Sequence, residues 1–172
     1  VVSDQNALIN QFPNGLAYYY DILSNNAFGN YRTLLEQVTL SPAMGIYLNM
    51  LGNRRADLSQ NIHPDENYAR EIKQLFSVGL VLLNADGSPQ LLGGQPIPTY
   101  SQSVVTNFAH VFTGWKWSDC APGNFLDCGP DYTTGVNFQT PMTAFAAYHD
   151  NGTDPVNDIA NKQLLSYPGA VN

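Results

Sequence analysis

The stretch from Ser41 to Gly52 constrains the fold more than any other part of the chain. Ser41-Pro42 reads as a helix start, with Ser as N-cap and Pro at the first helical position, and Gly52 reads as a left-handed C-terminal cap. Between them Met44, Ile46, Tyr47, Leu48, Met50 and Leu51 wrap almost all the way round a helix running to Leu51. A helix of that kind is buried on most sides, so other segments must lay apolar faces around it.

Those segments are short and well punctuated. Pro13-Asn14-Gly15 introduces a helix over Leu16–Leu23 that ends near Asn25-Asn26. Tyr31, Leu34, Leu35 and Val38 recur at helical spacing, with Arg32 and Glu36 one turn apart on the opposite face, placed to pair. His63-Pro64-Asp65-Glu66 opens a helix whose stripe is Tyr68, Ala69, Ile72, Leu75 and Phe76 and which stops at Gly79. Leu80–Leu83 and Gln90–Leu92 flank a turn-forming run, Asn84 to Ser88, and predict a small β-hairpin, with Pro96 and Pro98 as a stiff connector. Ser101 is expected to cap a helix carrying Val104, Val105, Phe108, Ala109, Val111 and Phe112 as far as Gly114. Residues 116–141 read as one long ordered loop, followed by short helices over Ala144–Tyr148 and Asp158–Leu165.

The expected fold is therefore mainly α: an irregular, orthogonal multi-helix bundle with one small hairpin and a long stapled loop. Residues 1–172 are read as part of a single helical domain, with a helical core over 16–115, the loop over 116–141 and an irregular region over 142–172. Val1 is not an initiator, no charged-then-apolar leader follows, and the last seven residues read as an open loop. The chain is expected to be an incomplete piece of a longer protein, with the remainder of that chain among its partners.

Composition narrows the function classes. Charged residues make up 12% of the chain, about half the usual share, and the formal charge is −7. A surface of that sign repels phosphate backbones, so nucleic acid is not an expected partner. No apolar run approaches the roughly 20 residues that cross a bilayer. Cys120 and Cys128 have seven residues between them. A disulfide there would be worth about 2–3 kcal/mol and would suit an oxidising compartment, periplasmic or extracellular; the alternative is two unpaired thiols in a surface loop.

Candidate chemistry is sparse. Asn67, Arg70 and Glu71 lie on the helix opened by Pro64, with Glu66–Arg70 and Asn67–Glu71 spaced as i,i+4 pairs. Glu71 sits at the margin of the apolar stripe, where partial burial would raise its pKa for acid–base work. The alternative is that this run ties its helix to Arg54 and Arg55. Asp150, Asp154 and Asp158 offer oxygens around Gly152 and form a candidate calcium loop, although the twelve-residue pattern with its terminal Glu is absent. Asn84, Asp86 and Ser88 are a weaker version. Trp115, Trp117 and Phe125 either stack on a sugar or brace the loop. His110 falls opposite the apolar stripe of its helix and should face solvent, His63 precedes a helix start, and His149 lies in a polar run, so a shared metal site is not expected. There is no nucleophile elbow, phosphate loop or dinucleotide fingerprint.

Several runs, in order, resemble the bacterial family called domain of unknown function 1800. They are Ala27 to Arg32, Ser41 to Gly45, Leu51-Gly52-Asn53-Arg54, Asp65 to Glu71 with Leu75-Phe76, Phe112-Thr113-Gly114-Trp115, Tyr148-His149-Asp150 and Lys162 to Leu165. The resemblance spans roughly residues 16 to 167. It implies an exported, largely helical bacterial protein, longer than this chain, with no reaction to transfer. It also hints at an exported protein partner of phosphatase-like fold. Two departures stand out: His110 occupies a place where Arg is expected, and the link from Asp150 to Lys162 is long. Together these readings make an exported, non-catalytic binding or assembly component the leading expectation, with Arg54, Trp115 and His149 as candidate ligand contacts. The alternative is a secreted enzyme, of hydrolase type, built on Asn67, Arg70 and Glu71.

Overall fold

A computed structural model describes residues 12–131 and 136–150, apart from the side chain of Val136. Among these residues there are five α-helices: α1 (Pro13–Asn25), α2 (Tyr31–Leu40), α3 (Pro42–Tyr47), α4 (Asn67–Gln74) and α5 (Gln102–Val111). Two short antiparallel strand pairs accompany them, β1 (Leu91–Leu92) with β2 (Gln95–Pro96), and β3 (Trp115–Lys116) with β4 (Thr143–Ala144). The fold is mainly α, as the periodicity predicts. No described helix is long and apolar enough to cross a membrane.

Local chemistry explains where the helices begin. Pro13 is itself the first residue of α1 rather than part of a breaker before it, which suits a residue without an N–H. Asn30 caps α2, its side chain accepting from the amides of Arg32 and Thr33. Asp65 Oδ1 accepts the Asn67 amide at 2.7 Å, and this turn delays the start of α4 from Pro64 to Asn67. The expected Ser41 cap is not made: Ser41 holds the N-cap position of α3, but its buried Oγ has no hydrogen-bond partner among the described residues. Arg32 and Glu36 are exposed and form no ion pair with each other.

The apolar segment lies at the centre of the core, although only its first half is helical. Met44 and Met50 are each 1% exposed, and Ala43, Gly45 and Leu48 are buried with them. The helix leaves its course at Asn49, which adopts a left-handed conformation at φ 59°, and the Leu51 amide turns back onto the Gly45 carbonyl. Asn tolerates that region better than other L residues, so it ends α3 four residues before the expected limit at Leu51. Around this segment pack Tyr19 and Ile22 from α1, Val38 from α2 and Tyr68 from α4. Tyr68 closes the layer by a 2.6 Å hydrogen bond to Thr39 and an edge-on contact with Phe112.

Between α4 and α5 the chain forms a projecting arm. The expected hairpin is present at Asn84–Ser88, with Leu83 bridged to Pro89. A second turn, Gly93-Gly94 with both φ positive, brings 95–99 back as a third limb, so the expected connector is part of the arm. The limbs close on one another through three backbone bonds: Gln90 donates to Leu82, Leu82 to Ile97, and Ile97 to Gln90. Leu75, expected in the stripe of α4, is 65% exposed at the base of this arm, and Leu91 and Leu92 are exposed on its outer limb.

The loop after Trp115 carries its own small core. Cys120 and Cys128 form a disulfide with Cα atoms 5.7 Å apart. Trp117 packs on Phe138, and Phe125 stacks on Tyr148 with ring centroids 4.2 Å apart. Thr143–Ala144 is a strand and residues 145–148 form a turn, which corrects the helix expected over Ala144–Tyr148. The helix expected over Asp158–Leu165 lies outside the described residues.

Candidate functional site

The conspicuous sequence runs converge on one junction. The Gly52 amide donates to the Trp115 carbonyl and the Gly114 amide to the Asn53 carbonyl, each at 2.8 Å, so the Leu-Gly-Asn-Arg and Thr-Gly-Trp runs are laced together. Asn53, itself buried, grips the backbone of Asp65: its Oδ1 accepts the Asp65 amide at 2.9 Å and its Nδ2 donates to the Asp65 carbonyl at 3.3 Å. The Arg55 amide donates to the Tyr148 carbonyl at 2.9 Å.

Behind this lacing lies a buried polar knot. Thr113, 0% exposed, donates its hydroxyl to the His110 carbonyl and accepts the Asp150 amide at 2.9 Å. The Thr113 carbonyl can only accept, so His149 Nδ1, 2.8 Å away, carries the hydrogen. His110 Nδ1 meets Asp150 Oδ2 at 2.6 Å. His110 is 7% exposed, which overturns its expected solvent-facing position: one flank of α5 packs Val105 and Ala109 against Ala69, and another receives Asp150. Gly114, at φ +79°, lets the 149–150 segment approach, since a Cβ there would stand 2.7 Å from the His149 amide nitrogen.

In front of the junction is an open hollow of about 450 Å³. Its lining includes the apolar Ile46, Leu51 and Ile62 and the polar Asn49, Arg54 and Asp65. Lys116 stands beside it, its Nζ 3.4 Å from where a Cβ on Gly52 would lie. Burial pushes the Lys116 ammonium below its ordinary pKa.

The other candidate residues are distributed differently. Arg70 pairs with Glu66 at 2.8 Å and donates to Gln102, while Glu66 also accepts from Gln102 and Thr106. This network ties α4 to α5, not to Arg54 and Arg55. Asn67 and Glu71 are half-buried, and neither is among the residues lining the hollow. Trp115 is half-buried, its indole Nε1 without a partner among the described residues, while Trp117 and Phe125, each 1% exposed, brace the loop and present no face to a sugar. Of the candidate calcium ligands, Asp150 is 2% exposed and bonded to His110, and Asp154 and Asp158 lie outside the described residues. The run from Asn84 to Ser88 is a plain turn, with Asp86 accepting from the Ser88 amide and hydroxyl. Asp119, Cys120 and Cys128 cluster, but both sulfurs are spent in the disulfide.

A family model described as protein of unknown function (DUF1800) matches residues 2–162 of the 172. The chain belongs to the DUF1800 family. No curated protein and no solved structure matches it. In this DUF1800 chain, the runs that carry the resemblance and lie within the described residues include the four that meet at the junction.

One residue escaped the sequence reading. Lys73 is 1% exposed, donates to the Ala69 carbonyl at 2.7 Å and lies over the Phe108 ring, 3.5 Å from its centroid. Burial, with Arg70 one turn away, lowers its pKa to about 8. The signal was available: positions 69, 73 and 76 share one helical face, and the outer two are apolar.

Proposed function

We propose that this DUF1800 chain is a non-catalytic assembly component that works in the cell envelope or extracellular matrix, and that it associates with further copies of itself through the arm between α4 and α5. The observation carrying this reading is the arm's apolar coat: Leu80, Leu83, Leu91 and Leu92 are 55–77% exposed. Asp86 is the one charged residue between positions 75 and 100. On a chain of net charge −7, two copies meet least repulsion at such a neutral face, and a self-complementary patch makes a closed dimer. The disulfide favours an oxidising location. Sedimentation velocity of the full-length protein tests the reading. Concentration-dependent association that is lost in Leu83→Lys/Leu92→Lys supports it. A monomer at all concentrations, as when the remainder of the chain covers the arm, overturns it, as does binding to lipid vesicles without self-association.

A secreted enzyme is the second reading. Glu71 favours it, because its half-buried carboxylate makes no hydrogen bond to a described residue. Hydrolysis of an ester or glycoside panel by the wild type, abolished in Glu71→Gln, would establish it; equal rates in both would remove it.

A further inference from the structure

We propose that the hollow beside Gly52 binds a small organic carboxylate, gripped by Arg54 and Lys116. The inference does not rest on the assembly reading. The chain has seven basic residues against fourteen acidic ones, so its cations should find partners easily. The ion pairs among the described residues are Arg70–Glu66 and His110–Asp150. Arg54 and Lys116 are both half-buried and belong to neither. Arg54 feels the charge of Asp57 and Lys116 Nζ lies 5.3 Å from the centre of the Phe125 ring, but neither cation forms an ion pair with a described residue, and an anion entering the hollow would offset their partial loss of water.

The neighbouring carboxylates are engaged by other donors, although, besides the Ser59 hydrogen bond, the Arg54 charge helps to hold the Asp57 carboxyl below its ordinary pKa. Asp57 Oδ1 is taken by the Ser59 amide and hydroxyl and by the Gln60 amide. Asp65 is engaged by the Asn67 amide and, at 3.4 Å, by the Asn49 side chain. The guanidinium of Arg54 therefore keeps its planar pair of donors, which matches a carboxylate in two-point contact. Asn49 places a side-chain amide on the same rim, where it donates to Asp65 at 3.4 Å.

The apolar part of the lining defines the rest of the ligand. Ile46, Leu51 and Ile62 offer hydrocarbon surface, and the volume of about 450 Å³ is in the range of small-molecule sites. An acid with an aryl or short alkyl body fills both halves. Gly52, at φ +81°, holds a backbone conformation that a residue with a side chain rarely adopts, and it brings the chain beside Lys116 at the rim.

Calorimetric titration of the full-length protein with phenylacetate tests this, with phenylacetamide as neutral isostere and inorganic phosphate as a compact anion. Saturable phenylacetate binding is expected, at least about tenfold weaker in Arg54→Gln and in Lys116→Met, with no binding of phenylacetamide. Melting curves establish that each variant is folded; should Lys116→Met fail to fold, Arg54→Gln decides alone. No saturable phenylacetate binding, equal binding of phenylacetamide, unchanged affinity in the folded variants, or phosphate binding as tightly as phenylacetate would each overturn the proposal.

Discussion

Asp150 holds the imidazole of His110 at 2.6 Å in surroundings that leave the two residues 2% and 7% exposed. The contact spans 40 residues of sequence and fastens the end of α5 to the last described segment. Removing one member of a buried pair typically costs about 3–5 kcal/mol, because the other charge stays behind. His110→Ala is expected to lose stability on that order in urea denaturation. His110→Arg, which restores a donor opposite Asp150, should recover much of it. Equal midpoints for wild type and His110→Ala would show that the contact contributes nothing.

Lys73 makes stability depend on alkaline pH. Its pKa is about 8 in the folded chain against an ordinary value of 10.5, so the unfolded chain holds more protons between those limits. Stability therefore rises from pH 8 toward 10 and is lost as pH falls through 8. Burial raises the Tyr68 pKa to about 12, which works the other way above pH 10, so melting temperatures should be compared between pH 7 and 9.5. Lys73→Met is expected to melt higher at pH 7, by on the order of 1–3 kcal/mol in stability, and to lose the upward slope.

Gly114→Ala should be among the most damaging single methyl additions. The residue sits at φ +79°, and its new Cβ would meet backbone atoms of His149 at 2.7–2.8 Å, which cannot swing aside. A loss of about 2–4 kcal/mol is expected in chemical denaturation. Gly79→Ala, also at positive φ but with nothing within 4 Å, isolates the backbone contribution and should lose less.

Opening the disulfide should loosen one region without unfolding the whole. Cys120→Ser/Cys128→Ser is expected to lose about 2–3 kcal/mol from loop entropy. Phe125 lies between the two cysteines and stacks on Tyr148, so hydrogen exchange should quicken first in residues 117–128. Exchange that changes equally in α1 would refute this local role.

Much of the architecture is legible in residue pattern. The apolar run after Pro42 is the centre of the core because a segment greasy on every side has nowhere else to lie. The cysteine spacing led to the disulfide, and the turn at Asn84–Ser88 to the first bend of the arm. Periodicity fails where a single polar contact from afar decides the outcome. A helical wheel cannot place Asp150 beside His110, so a buried histidine reads as exposed. Nor can it tell that Asn49 will turn left-handed and end α3 early. The junction was present only as separate runs of letters: backbone hydrogen bonds join Gly114 to Asn53 and Arg55 to Tyr148, and the Asn53 side chain grips the Asp65 backbone, none of which leaves a periodic trace. Lys73, on which the residue pattern raised no expectation, lies buried on the inward face of α4.

The three-limbed arm has a consequence for how stickiness is contained. At Leu82, Gln90 and Ile97 the main-chain amides are consumed in a closed triangle, so at these positions no idle N–H invites an incoming strand. Leucine-coated ribbons with open edges tend to zip into ever-growing fibrils. A prism sealed in this way can adhere through its side chains and still stop at a finite number of subunits.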